Sequence, residues 1–183
     1  MLNWHAPAAG HPDGDALDVA SQILSAGRSS RLYRELVYRN EQALYAEGGY
    51  WALQEAGLFF VIAAVRPGVS VDEVEAAFFQ QIDQIKSEGV TEEEVAKAKR
   101  QLEVDLVMSL TTSHALASRV GRDTVFFGRV RSIDERLASI QAVTADDVKR
   151  VMEKYLESEG SSVVQVLDSG PRAPAIEPGE GSS

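Results

Sequence analysis

A chain of 183 residues with 44% hydrophobic content holds apolar material for one sizeable core and too little for two ordinary domains. Its 28 acidic residues against 18 basic ones leave a formal charge of −10, which repels a phosphate backbone and argues against nucleic acid as a partner. With no cysteine, disulfides, thiolate metal sites and a cysteine nucleophile are all excluded.

The opening "LNWH" reads as a short extended segment that can neighbour a strand at the other end of the chain. "DGDALDVASQILSAG" then places Ala16, Ala20, Ile23 and Leu24 on one helical stripe, with Asp13 or Asp15 as N-cap and Gly27 closing the helix. In "SAGRSSRLYRELV", Ser29 or Ser30 can cap a second, shorter helix that turns Leu32, Leu36 and Val37 inward.

From Ala43 to Leu53 the apolar and aromatic residues come with Gly48 and Gly49 and without a helical stripe, and "GLFFVIAAVRPG" follows as a continuous β-prone run. These predict two antiparallel strands joined near Gln54–Gly57, the second central because it carries no charge before Arg66. The run Gly57 to Val65 is about half the length of a membrane-spanning helix, and the N-terminus lacks the layout of a signal peptide, so no membrane span is expected.

Four helices are predicted next, each announced by Ser or Thr followed three residues later by an acid: Ser70/Glu73, Thr91/Glu94, Ser132/Glu135 and Thr144/Asp147. Val74, Ala77, Phe78, Ile82 and Ile85 form the apolar face of the first, which ends at Gly89; Val95, Ala98, Leu102, Leu106 and Leu110 stripe the second. "TTSHALAS" within that second helix reads as a kink or restart. Val163 to Leu167 close the ordered part as a strand. "PRAPAIEPGEGSS" has too little apolar content to offset its ordering entropy, which sets a domain over 1–169 and a disordered tail over 170–183. The order of elements gives an α+β class: a two-layer, largely antiparallel sheet backed by helices on one face.

The search for chemistry yields mainly exclusions. His5, His11 and His114 are the three imidazoles, and none stands at the helical spacing from a second that zinc-protease signatures require. His5, His11 and Asp13 make at most a weak surface metal cluster in a loop rich in Pro and Gly. No G-x-S-x-G elbow supports a serine nucleophile, and Glu92 to Glu94 suit a helix N-terminus. Arg28 and Arg31, beside Gly27, Ser29 and Ser30, fit either plain helix punctuation or an anion site; both readings stay open.

Taken together, "HPDGDALDVASQILSAGRSSRLYRELVYRNEQAL", "GLFFVIAAVRPG", "SEGVTEEEVAKAKRQLE" and "SIQAVTADDVKRVMEKYL" resemble the second, C-terminal domain of the M16 family of zinc metallopeptidases. The resemblance runs from about His11 to Leu167 and implies a sheet backed by helices, within a molecule of homologous domains that enclose a chamber. In that family one domain carries an inverted H-x-x-E-H zinc motif, while its partner has lost the ligands. This chain has no such motif, so the resemblance implies a catalytically inactive domain without metal or other cofactor of its own, zinc residing in the partner.

The inactive domain of many members supplies an arginine and a tyrosine seven positions apart near the substrate backbone. Tyr45 matches the tyrosine, but Tyr38 stands seven residues earlier and Arg39 only six, so the pair is altered or shifted here. The resemblance thus implies that the chain encloses and positions a peptide substrate opposite a homologous zinc-bearing domain, as part of a metalloendopeptidase. The alternative is a non-proteolytic scaffold subunit of core-protein type. Open edge strands add homodimerisation to the expected associations, and the family favours the bacterial periplasm over the cytoplasm.

Overall fold

A computed structural model describes residues 1–166; the predicted tail, 170–183, lies outside the described residues, as does Leu167. Four antiparallel strands, β1 (Leu2–Ala6), β2 (Ala43–Ala52), β3 (Gly57–Val65) and β4 (Ser161–Val163), lie in the order β2-β3-β1-β4. The uncharged β3 is central, as its composition requires, with Phe59 opposite Trp4 of β1 on one side and opposite Tyr50 of β2 on the other. β1 also pairs with β4, Leu2 opposite Val163, which joins the two ends of the described chain. β4 is earlier and shorter than the predicted Val163 to Leu167, because a 3₁₀ turn at Ser158–Gly160 feeds Ser161 directly into the pairing with Trp4.

Strand alternation divides the sheet into unlike faces. Leu2, Trp4, Phe59 and Val61 point inward and are almost fully buried. Trp4 meets Phe59 and Phe79 edge-to-face, with centroids 6.4 and 6.3 Å away, and its indole N–H donates to the Glu157 carbonyl at 2.9 Å. Leu58, Phe60, Ile62 and Ala64 alternate onto the opposite face and remain half-buried.

The helical layer is centred on α1 (Gly14–Ser25). More than the predicted stripe is buried: Leu17, Val19, Ala20 and Leu24 are at or near zero exposure, since α1 packs on β2, β3 and on other helices at once. The approach to β2 requires a glycine. A Cβ at Gly48 would lie 2.3 Å from the Phe60 carbonyl oxygen and 2.9 Å from Ser25 Oγ. The helix closes at Ala26, one residue before Gly27, and Asp13 precedes it without capping it.

The second helix is a π-helix, Tyr33–Arg39, its first turn set by Ser30 Oγ, which accepts from Tyr33 N at 3.3 Å. Leu32 and Leu36 are fully buried and Val37 packs at the core margin, as the spacing predicts. The hydrogen-bond register of a π-helix is longer than that of the α-helix the pattern suggests.

After β3 the chain forms five helices where four are predicted: α2 (Val71–Glu88), α3 (Glu92–Met108), α4 (Ser113–Phe127), α5 (Ile133–Ala142) and α6 (Ala145–Tyr155). Of the two readings of "TTSHALAS", restart is the one the structure takes. α3 ends before Leu110, and Thr112 caps α4 by accepting from Ala115 N at 3.1 Å. The four predicted helix starts hold, but only Thr91/Glu94 and Thr144/Asp147 close as full capping boxes; Ser70 accepts instead from Asp72, and Glu135 turns to Arg129. α2 buries all five predicted apolar residues and stops at Gly89, whose φ of +81° an L side chain rarely adopts. Among the described residues no helix is long and apolar enough to cross a membrane.

Candidate functional site

The residues nominated by sequence stand where the π-helix hands over to β2. Glu41, in the left-handed region at φ +49°, turns the chain; Gln42 N donates to the Leu36 carbonyl at 2.8 Å and Arg66 N to the Gln42 carbonyl at 2.9 Å. Arg66 also reaches the Ala43 carbonyl through Nε at 3.4 Å. The handover is therefore pinned from both the π-helix and β3, with Asn40 and Glu41 exposed and Gln42 half-buried.

Tyr45 follows a β-bulge. Ala43 lies opposite Val65 and Tyr45 opposite Ala64, so Leu44 is the extra residue. A bulge re-aims the side chains next to it: Ala43 and Ala46 are buried while Tyr45 is 44% exposed, opposite Ala64. It borders, with Ile62 and Ala64 of β3 and Val71 and Phe78 of α2, a cavity of ≈ 470 Å³. Tyr38, at 80% exposure, projects from the end of the π-helix. Arg39 is bent back onto Glu35, Nη1 to Oε2 at 3.1 Å, and Asn40 holds the other oxygen of Glu35 at 3.0 Å. Among the described residues no hydrogen bond joins Tyr38, Arg39 and Tyr45, and neither phenol oxygen has a hydrogen-bond partner there. Arg39 is thus held locally, whereas the Tyr45 hydroxyl is free to donate.

The three imidazoles do not fit a catalytic zinc. His5 is exposed on β1 opposite Leu58, His114 is exposed at the start of α4, and His11 uses Nδ1 to accept from Asp13 N at 3.0 Å. The Asp13 carboxylate is committed elsewhere: Arg150 donates at 2.7 Å, Lys154 at 2.9 Å and Tyr155 at 2.7 Å, so it ties the loop before α1 to α6. These donors outweigh the cost of burial and hold its carboxyl well below the usual carboxylate range. Among the described residues no group of three or more His, Asp or Glu is placed to hold a metal ion.

Sequence reasoning missed this staple and a second one. Arg31 grips both oxygens of Glu94, Nε at 2.8 Å and Nη2 at 2.9 Å, and adds the Gly89 carbonyl at 3.2 Å. Foremost the Arg31 clasp, with help from Thr91, lowers the Glu94 pKa to about 2. Glu94 was legible as the partner of Thr91; nothing in a single chain points from it to an arginine 63 positions earlier. Of the two arginines considered for an anion, Arg31 is therefore already satisfied.

Comparison with known proteins adds an independent observation. A family model described as the peptidase M16 inactive domain matches residues 1–102. A relative from Streptomyces coelicolor named as an uncharacterized zinc protease is 32% identical over 141 residues, 77% of this chain and 30% of that protein. The zinc protease PqqE of Helicobacter pylori is 26% identical over 89% of this chain and 36% of its own length. The crystal structure of a protease from Helicobacter pylori superposes with a TM-score of 0.80 at 25% identity, covering 87% of this chain and 38% of that one. The chain spans about a third of the length of these curated relatives.

Proposed function

The chain belongs to the M16 peptidase family as an inactive domain, and on that premise we propose that it encloses and positions an extended peptide opposite a homologous zinc-bearing domain that carries out hydrolysis. The zinc, held by an H-x-x-E-H motif, sits in that second domain, on the same polypeptide or on a partner subunit. This chain contributes shape and hydrogen bonds.

The observation that supports the reading is the free Tyr45 hydroxyl, brought by the bulge to the exposed face of β2, an edge strand. An extended peptide can add to such an edge through main-chain hydrogen bonds, and an adjacent phenol can donate to the carbonyl under attack. Tyr38, exposed at the end of the π-helix, provides a second aromatic surface. Arg39, paired with Glu35, orders the turn.

The test is to combine the chain with a zinc-bearing homologous domain and measure hydrolysis of an extended fluorogenic peptide. Cleavage is expected only when both are present, and Tyr45→Phe is expected to lower kcat/KM by roughly a hundredfold while leaving the fold intact. A zinc domain that is equally active without this chain would discard the reading in favour of a scaffold role. Full activity in Tyr45→Phe would remove Tyr45 from it.

A further inference from the structure

The arginines of Gly27–Arg34 have a use that peptide positioning at β2 does not absorb. A cavity of ≈ 760 Å³ opens between the C-terminal end of α1 with its following loop and one face of α3, and Arg28, Arg31, Arg34 and Lys97 all line it. In a chain of charge −10, four cations from two distant segments around one cavity is a local reversal of sign.

Arg31 is spent on Glu94 and the Gly89 carbonyl, so it serves as a fixed wall. Arg28 is braced against Tyr33, Nε to the phenol oxygen at 3.3 Å with the guanidinium 5.9 Å from the ring centroid, which leaves both terminal amino groups uncommitted. Arg34 and Lys97 are exposed, and no ion pair among the described residues involves either of them or Arg28. Three unspent cations thus face one cavity of ligand-binding size.

We propose that this cavity is a carboxylate-binding site for an acidic peptide segment, with Arg28, Arg34 and Lys97 pairing its Asp or Glu side chains. Guanidinium forks match carboxylates in geometry. Gln22 and Gln101 supply amides that can pair with a peptide backbone, and Ile23 and Ala98 give the cavity an apolar floor. Glu93 and Asp105 also border it, and their charge penalises a phosphate, at nearly two negative charges, more than a carboxylate with one. The site goes beyond the peptidase-domain reading and shares no residue with the β2 edge, so either can fail without the other.

The experiment is a calorimetric titration of the intact chain at low ionic strength with a short glutamate-rich peptide, its glutamine counterpart and inorganic phosphate. The glutamate peptide is expected to bind and to weaken steeply with added salt, while the glutamine peptide stays silent. Arg34→Glu and Lys97→Glu should each weaken binding about tenfold, and the two combined more, with an unchanged thermal midpoint, because among the described residues neither side chain has a hydrogen-bond or ion-pair partner to lose. Three results would overturn the proposal: no binding to the wild type, equal binding to the double variant, or phosphate binding as tight as the peptide.

Discussion

α4 and α6 are both helices entered through a threonine cap, yet they are held by opposite means. α6 buries Val148, Val151 and Met152, continues into the fully buried Leu156, and adds the Asp13 staple at its polar face. α4 is longer but buries only Arg119 and Asp123, while Leu116 and Val125 are 46% and 61% exposed. A polar clasp ties α4 to the loop that follows it: Arg119 donates to the Arg131 carbonyl at 3.0 Å, Arg131 N donates to Asp123 at 3.0 Å, and the Arg131 guanidinium lies 3.7 Å over the Phe127 ring, whose edge approaches Gly10 of the loop before α1. Apolar burial makes α6 part of the cooperative core. Hydrogen bonds position α4 without giving it much of the core's stability, the condition for opening as a separate local unit.

The sharpest way to break the comparison is to cut the apolar anchor of α6. Met152→Ala removes a fully buried side chain and should cost about 3 kcal/mol, measured by chemical denaturation with the slope unchanged. Leu116→Ala on α4 should stay within about 0.5 kcal/mol in the same assay. Asp13→Ala comes next. It removes the acceptor of the half-buried Tyr155 hydroxyl and of two cations, but Arg150 keeps Asp147, and Arg150 and Lys154 are about half exposed so that water reclaims them; about 2 kcal/mol is expected. Met152→Ala and Asp13→Ala should each unfold in one transition, since α6 and the loop stapled to it belong to the core.

The sequence resolves α6 far better than α4, for a physical reason. Thr144 with Asp147 marks a start, and Val148, Val151 and Met152 repeat at helical spacing, so local pattern and burial agree. In α4 the buried residues are charged and the apolar ones exposed, which inverts the signal that periodicity reads. The sequence therefore leaves the junction of α3 and α4 as a kink or a restart, without a second helix counted after it. The same limit governs the site. The place of Tyr45 on an extended segment was legible, but its exposure depends on a bulge at Leu44 that no pattern of types announces. The role of Asp13 passed from helix cap to staple because its partners lie more than 130 residues on.

A third mode of anchoring, intermediate between these helices, belongs to α3. Its N-terminus is tied by Arg31 to Glu94, whose pKa is lowered from the ordinary 4.5 to about 2. A depressed carboxylate contributes stability that is fully present above its unfolded pKa and is lost as pH falls through the folded one. The stability difference between wild type and Glu94→Gln should therefore be constant from neutral pH down to about 5 and shrink toward pH 2. The pair is partly solvated, so the plateau is expected near about 1 kcal/mol. A difference that grows on acidification would mean that the clasp does not hold the ionised form.

The smallest global effect and the most diagnostic local one are expected at Asp123. Asp123→Asn keeps the shape of the acceptor but removes its charge from the Arg131 backbone amide and the guanidinium 3.6 Å away. Because α4 buries almost no apolar surface, the thermal midpoint should move little, while amide exchange across Ser113–Phe127 should quicken about tenfold, equivalent to about 1.4 kcal/mol of local opening. Exchange in Ala145–Tyr155 should not change. Were α4 anchored by its apolar side chains in the manner of α6, the pattern would reverse: Leu116→Ala would raise exchange in α4 and Asp123→Asn would leave it as it was.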